Sequence, residues 1–148
     1  MSLVVDSSVI VAVLIDTGPD GVWAEEIIDD QVLYAPELVG VATTNVLRRL
    51  ERTKQITTAE ANGAQQDLTQ LEIEQFPFEP FSGRIWELRR TVTSYGAWYV
   101  AVAEELGYPL ATLDRRLAGT VGPKCKFLAP NSPWRVRSPS FDERRPAD

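Results

Sequence analysis

The chain has 148 residues, of which 44% are hydrophobic and 24% charged, and its formal net charge is −6 at pH 7. This size and composition are typical of one globular domain that buries its own core. The absence of histidine excludes imidazole catalysis and histidine metal sites, and the single cysteine, Cys125, excludes an internal disulfide and a multi-cysteine zinc site. The net negative charge argues against a protein that binds nucleic acid through its overall charge. It is compatible with a local basic patch that does so.

We expect a cytoplasmic protein. One cysteine fits a reducing compartment. The apolar segment at residues 3–15 is interrupted by Asp6 and has no basic region before it, so it lacks the pattern of a signal peptide. No apolar run approaches the length of a transmembrane helix.

Predicted strands and helices alternate through the first half of the chain. Residues 3–6 form an apolar run that ends in a lone acid, Asp6, and predict a short buried strand, with Ser7 or Ser8 as the cap of the next helix. Residues 32–35 predict a second strand. Further helices are predicted at residues 22–30, 37–54 and 57–74, and an edge segment at residues 76–78.

The second half continues this alternation. Its predicted elements are helices at residues 81–93 and 97–106 and strands at residues 109–113 and 126–128. Asp114 comes at the end of the first of these strands, as Asp6 comes at the end of the opening strand. The alternation predicts a three-layer α/β/α fold with a short central parallel sheet. We expect residues 1–129 to form this domain and the polar, proline-rich residues 130–148 to form an arm or tail.

Asp6 and Asp114 are the two acids that this pattern singles out. The carboxyl ends of parallel strands line the crevice where open α/β sheets bind ligands. Each acid also has an ordinary structural explanation, since an aspartate after a strand commonly caps the next helix. Together the two resemble part of a site for Mg²⁺ or Mn²⁺, which favour oxygen ligands. Such an ion activates water and stabilises the charge of a phosphodiester under attack.

Seven motifs occur in order along the chain. They are Val4-Val5-Asp6-Ser7-Ser8, Ala35-Pro36-Glu37-Leu38, Leu47-Arg48-Arg49-Leu50, Ile85-Trp86-Glu87-Leu88-Arg89, Thr93-Ser94-Tyr95, Ala97-Trp98-Tyr99-Val100-Ala101-Val102-Ala103-Glu104 and Leu110-Ala111-Thr112-Leu113-Asp114-Arg115-Arg116-Leu117-Ala118. Because it has these motifs in this order, the chain resembles the VapC family, the PIN-domain toxins of bacterial toxin–antitoxin pairs, over about residues 3–128. The ordered set is far more specific than any single motif.

The resemblance implies a PIN-like fold and a Mg²⁺- or Mn²⁺-dependent endoribonuclease that cleaves RNA. It also implies a cognate VapB-type antitoxin as partner, and frequent homodimers. Asp6 and Asp114 match two acidic positions of the family. At two others the chain departs from it: Ala42 stands where the family usually has Glu, and Gly96 stands where it usually has Asp.

We expect the two departures from the family pattern to weaken metal binding and catalysis and to leave the fold intact. Alanine favours helices and glycine is tolerated at a helix N-cap, so we expect the fold to survive while metal affinity and water activation suffer. Three explanations stay open: natural degeneration, deliberate inactivation, or replacement of the missing acids by Glu37 or Asp16. The resulting hypothesis is a toxin impaired in RNA cleavage, and the alternative is a non-catalytic PIN-like module that binds antitoxin or RNA without cutting.

Several polar residues are candidates for supporting roles, each with a structural alternative. Ser8 either bonds to Asp6 or a metal-bound water, or caps the first helix. Asn45 either reaches the crevice, one turn beyond Ala42, or lies on a polar helix face. The candidate RNA-contacting residues, whose alternative is a solvated surface, are Arg48, Arg49, Arg115 and Arg116. For Trp98 and Tyr99, packing in the core or a dimer is favoured over base stacking.

Other classes of α/β protein fit less well. A phospho-acceptor receiver domain needs an acidic pair and a late strand-end lysine, and neither is apparent. A dinucleotide-binding fold needs a glycine-rich loop after the first strand, which the chain lacks.

Overall fold

The computed structural model describes residues 1–130, in which five strands form one entirely parallel sheet. The strands are β1 (Ser2–Val5), β2 (Val32–Pro36), β3 (Ile73–Phe76), β4 (Leu110–Ala111) and β5 (Phe127–Leu128), in the spatial order β3-β2-β1-β4-β5. The central strand β1 is apolar and buried because helices cover a parallel sheet on both faces. The predicted tail, beyond residue 130, lies outside the described residues.

The helices connect successive strands. They are α1 (Ser7–Ile15), α2 (Pro19–Ile28), α3 (Leu38–Arg52), α4 (Thr58–Gln70), α5 (Ser82–Glu87), α6 (Ser94–Leu106) and α7 (Arg115–Ala118), and a short 3₁₀ turn precedes α5. Helix α1 packs against α2, α3 and α4, and α3 also contacts α4, while α6 packs on α5 and against β1, β2 and β4. No helix in residues 1–130 is long and apolar enough to cross a membrane.

The strand order reverses between β1 and β4. From β1 the chain moves outward through β2 to β3, then returns to β4 on the opposite side of β1. With right-handed crossovers, the connecting helices of the two halves lie on opposite faces of the sheet. The carboxyl ends of β1 and β4 therefore flank the crevice at a topological switch point, where open α/β sheets bind ligands. The predicted α/β/α fold is confirmed.

Three helix predictions were wrong in detail. The helix predicted over residues 57–74 ends at Gln70, and the edge strand lies at Ile73–Phe76 instead of residues 76–78. The helix predicted over residues 81–93 continues only to Glu87, after which the chain follows turns. The helix predicted from residue 22 begins at Pro19, a favoured first helical residue. In the first two cases the apolar spacing continues past the backbone hydrogen bonds that define the helix.

Helix α3 buries one face and leaves both Val41 and Asn45 exposed. The buried residues of α3 are Val39, Thr43 and Leu47, spaced four apart. Helix α3 packs between α1, α4 and β2, and these contacts select the buried face.

Candidate functional site

Asp6 lies directly after β1 and begins α1. Its backbone amide donates to the Ala111 carbonyl (3.2 Å), which continues the pairing of β1 with β4. The side chain is only 6% exposed, and its Oδ1 accepts from the Val9 amide (3.2 Å). Asp6 is thus the cap of α1. The predicted cap at Ser7 or Ser8 was wrong because the chain enters the helix one residue earlier.

Two hydroxyl groups hold the Asp6 carboxylate in place. Ser8 Oγ donates to Oδ1 (2.5 Å) and Thr112 Oγ1 donates to Oδ2. Burial raises the pKa of Asp6, while the hydrogen bonds from Ser8, Thr112 and the Val9 amide oppose part of that shift. These three hydrogen bonds use most of the roughly four acceptor positions of a carboxylate, so some capacity is left for a ligand.

Thr112 connects the two acids of the site. Its fully buried hydroxyl donates to Asp6 and accepts from the Asp114 amide (2.9 Å). Ser8 makes a parallel link, because its hydroxyl accepts from the Leu113 amide (2.9 Å). Sequence reasoning found Ser8 and missed Thr112. The one available signal was a hydroxyl two residues before Asp114 within an apolar strand.

Asp114 caps α7, which is the structural alternative that the sequence left open for this acid. Its Oδ1 accepts from the amides of Arg116 (3.0 Å) and Leu117 (3.1 Å). Within residues 1–130, no hydrogen bond reaches Asp114 Oδ2. The residue is exposed, so that second oxygen is available to a ligand.

Both acids line one cavity of about 220 Å³, which we call the acidic cavity. The residues on its wall include Asp6, Asp114, Gly96, Arg116, Tyr95 and Tyr99. The fold therefore brings together four of the predicted site residues: Asp6, Asp114, Gly96 and Arg116. Tyr95 and Tyr99, from the first two turns of α6, are additions that the sequence did not assign to the site.

Comparison with known proteins identifies the scaffold. The PIN-domain family model matches residues 3–122. Ribonuclease VapC9 of Mycobacterium tuberculosis is 34% identical over 123 residues, which cover 83% of this chain and 94% of that protein. The chain belongs to the VapC ribonuclease family of PIN-domain proteins. The family resemblance inferred from the sequence is confirmed.

Solved structures agree with this VapC assignment at the level of the fold. PAE2754 from Pyrobaculum aerophilum superimposes with a TM-score of 0.62 at 21% identity, covering 86% of this chain and 83% of that one. A member of the VapBC family of toxin-antitoxin systems, VapBC-5 from Mycobacterium tuberculosis, has a TM-score of 0.51 at 21% identity and covers 91% of this chain and 98% of its own.

Gly96 is the third residue of α6, within the wall of the acidic cavity. The helix is capped by Thr93, whose hydroxyl accepts from the Gly96 amide (3.2 Å), so the expectation that Gly96 lies at the cap was wrong. A Cβ at this position would lie 3.2 Å from Val92 Cγ1 and 3.3 Å from Leu117 Cδ1. A side chain here therefore requires small shifts of two buried apolar side chains, of which Val92 is β-branched and stiff.

Ala42 is the fifth residue of α3. It is not on the wall of the acidic cavity, and it precedes Val46 by one turn of α3. Val46 lines a second space of about 540 Å³, which we call the α1–α3 groove. Ser8 and Arg49 also line the α1–α3 groove, and Ser7 lines both spaces.

Of the remaining predicted site residues, two line one of these spaces and three line neither. Arg116 lines the acidic cavity, and Arg49 lines the α1–α3 groove. Arg48, Arg115 and Asn45 are exposed and line neither space.

Among the residues that the structure describes, two carboxylates line the acidic cavity and could hold a metal ion. In the part of the chain that the structure describes, no three acidic or cysteine side chains lie close enough together to form such a site. Neither Glu37 nor Asp16 lines the acidic cavity, so neither stands in for a missing acid there. The residues present supply half of the four carboxylates that the VapC resemblance implies.

Proposed function

We propose that this chain is the toxin component of a toxin–antitoxin pair. Its scaffold is that of a Mg²⁺/Mn²⁺-dependent endoribonuclease, and its cleavage of RNA is impaired because Ala42 and Gly96 occupy family acidic positions. One observation carries the proposal: the acidic cavity lies at the switch point of the sheet and is lined by Asp6 and Asp114 with no third acid among the described residues.

Asp6 and Asp114 are the residues that would hold the metal ion. When bound, such an ion would lower the pKa of a water and offset charge on a phosphodiester. Each carboxylate keeps spare acceptor capacity beyond its capping role. Mg²⁺ sites with one or two carboxylates depend on water and substrate phosphates for their remaining ligands. We therefore expect weak metal binding in the absence of RNA.

Cationic side chains near the two spaces support RNA as the ligand. Arg116 lines the acidic cavity and Arg49 lines the adjoining α1–α3 groove. Arg48 and Arg115 are exposed next to them in sequence. Contacts of this kind fix a nucleic acid by its phosphates and carry little sequence information. The acidic net charge of the chain is compatible with such a local patch.

A VapB-type antitoxin is the protein partner that we propose, with the α1–α3 groove as its docking site. The groove is lined in part by apolar side chains of α1, α3 and the β4–α7 connection, including Val11, Ile15, Leu50 and Leu113. Amphipathic helices commonly bind grooves of this kind. The fold similarity to VapBC-5, a member of the VapBC family of toxin-antitoxin systems, supports the same partner. A homodimer and a cytoplasmic location are further expectations from the family.

A non-catalytic module that binds antitoxin or RNA without cutting is the second candidate. The observation that favours it is the packing around Gly96, where Val92 and Leu117 leave little room for a side chain. The two candidates differ in whether restored acids restore RNA cleavage.

The test restores both acids in one variant, Ala42→Glu with Gly96→Asp. We expect this variant to gain Mn²⁺ binding in calorimetry and RNA cleavage in a gel assay, because it fills both family acidic positions that this chain lacks. The matched control is Ala42→Gln with Gly96→Asn, which has nearly the same size and crowding at position 96 without the charges. Thermal melting is the check that both variants fold. A folded acidic variant that gains neither property contradicts the impaired-nuclease proposal and leaves the binding module.

A further inference from the structure

The segment that follows α5 leads from an exposed tryptophan to the wall of the acidic cavity. We call residues 86–91 the arginine turn; they comprise the last two residues of α5 and the turns after it. Trp86 is 66% exposed, and Thr91 lines the acidic cavity. Between them, Arg89 and Arg90 are both exposed. The arginine turn therefore places two cations next to the proposed site.

Thr91 joins the arginine turn to the rest of the cavity wall. Its Oγ1 donates to the Val121 carbonyl (2.7 Å), in the connection from α7 to β5. Thr120, which precedes Val121, and Arg116 of α7 also line the acidic cavity. Consecutive Cα atoms are only about 3.8 Å apart, so Arg90 begins directly beside the wall that Thr91 forms. The arginine turn and α7 thus meet at the cavity.

The arginines of this region are not neutralised by acidic side chains. Both ion pairs within residues 1–130 belong to Arg84, which lies on α5 ahead of the arginine turn. Arg89, Arg90 and Arg116 form no ion pair within those residues. Three unpaired cations therefore lie beside one cavity in a chain whose net charge is −6. A local positive region of this kind attracts a polyanion that the rest of the surface repels.

Arg89 is also held in position by Trp86. Its Nη1 donates to the Trp86 carbonyl (2.8 Å), and its Cζ lies 4.3 Å from the centre of the Trp86 ring. A guanidinium at this distance over an indole is attracted by the ring. The guanidinium has several N–H donors, and this hydrogen bond uses a single one, so the others can bind a phosphate. Because the side chain is already ordered, it loses less conformational entropy on binding than a freely moving arginine.

We propose that the arginine turn is the path along which RNA leaves the acidic cavity. Arg116 binds the phosphate at the cavity, and Arg89 and Arg90 bind phosphates of the neighbouring nucleotides. Trp86 is a positioning residue, because it acts on RNA only through Arg89. Phosphates carry no base identity, so these contacts add affinity without sequence preference. This inference rests on the proposed function, since it assigns RNA contacts beside the same site.

Fluorescence anisotropy of a short fluorescein-labelled, unstructured RNA tests the path with the full chain, in EDTA to prevent metal-dependent cleavage. Arg89→Gln with Arg90→Gln should weaken binding about tenfold at about 0.1 M salt, because two phosphate contacts are lost. The slope of log affinity against log salt concentration should become shallower by roughly 1.4, since each phosphate contact to a single strand contributes about 0.7. Thermal melting is the check that the variant folds.

The matched control is Arg52→Gln with Lys54→Gln, which removes the same charge. Both residues are exposed at or just after the end of α3, and neither lines the acidic cavity or the α1–α3 groove. RNA affinity should stay within about twofold of the unaltered chain, because charges that do not contact the RNA are screened by salt. Equal losses in the two double variants would mean that net charge alone sets the affinity, and would overturn the inference.

Trp86→Ala tests the positioning of Arg89. We expect RNA affinity to fall roughly threefold with the salt slope unchanged, because the charge remains and only its fixed position is lost. Trp86→Phe should recover most of the affinity, since a phenyl ring also attracts a guanidinium. In a chain that already carries Arg89→Gln, Trp86→Ala should cause no further loss. A loss of the same size in both backgrounds would show that Trp86 acts on the fold and does not position Arg89.

The remaining outcomes separate this inference from the proposed function. If the chain binds RNA and Arg89→Gln with Arg90→Gln behaves like the control, the arginine turn is wrong and the proposed function stands. If Arg48→Gln with Arg49→Gln causes the loss instead, RNA leaves the site over α3, and the inference is again wrong. If the chain binds no RNA in EDTA or in Mn²⁺, including total transfer RNA, the proposed function and the inference that rests on it both fail.

Discussion

The two sides of the acidic cavity differ in what their residues do for the fold. On the sheet side, Asp6 and Asp114 each cap a helix, and Thr112 connects them. On the helix side, Gly96 lies inside α6, which Thr93 already caps. An acid at position 6 or 114 thus has a structural role whatever chemistry the site performs. The scaffold places no such requirement on position 96, so an acid there can be absent while the fold stays intact.

The largest expected effect compares the two acids of the sheet side. Asp6→Ala should lower the free energy of unfolding by about 2–4 kcal/mol, because it removes a helix cap and leaves buried hydroxyls of Ser8 and Thr112 without their acceptor. Asp114→Ala removes only an exposed cap and should cost about 1 kcal/mol. Urea denaturation measures both values. Equal losses would mean that burial does not distinguish the two acids.

The next effect concerns the link between the acids. Thr112→Val keeps the shape of the side chain and should cost about 1–3 kcal/mol, because the Asp6 carboxylate and the Asp114 amide each lose a partner. Thr112→Ser is the control, since it keeps the hydroxyl, and urea denaturation again provides the measurement. A Val variant as stable as the Ser variant would show that the link contributes nothing.

The smallest effect tests the opposite end of α6, away from the cavity. Glu104 accepts from Arg84 Nε (2.7 Å) and from the Lys124 amide (2.6 Å). Burial acts to raise the pKa of Glu104, and the hydrogen bonds and positive charges of Arg84 and Lys124 outweigh it, so that the pKa lies below its usual value. The charged form is therefore favoured by folding. Its contribution is present above the unfolded-state pKa and is lost as pH falls through the lower folded-state pKa.

Glu104→Gln should consequently cost about 1 kcal/mol near neutral pH, as expected for a partly exposed ion pair, and almost nothing at the acid end of that window. Thermal melts of both proteins as a function of pH provide the measurement. RNA affinity is the internal control, because Glu104 does not line the acidic cavity and its loss should leave binding unchanged. A difference in stability that is independent of pH would contradict an ionic contribution.

Local patterns were sufficient to predict the strands that carry the acids. Apolar runs ending at Asp6 and Asp114 depend only on neighbouring residues, and the structure places both acids after parallel strands as expected. The edge strand was harder to locate, because Ile73 also fits the apolar spacing of the preceding helix. Periodicity alone cannot tell where a helix stops when both elements offer an apolar residue.

The sequence by itself therefore determined the alternation of strands and helices, the family, and the two acids that remain. Only the tertiary structure decided that Thr112 bonds to Asp6 from 106 residues away, that Tyr95 and Tyr99 line the same cavity, and that Gly96 lies within a helix capped by Thr93. These contacts depend on the register of β1 with β4 and on how α6 lies across the sheet. Such long-range packing leaves no periodic signal in the chain, whereas strands and helices do.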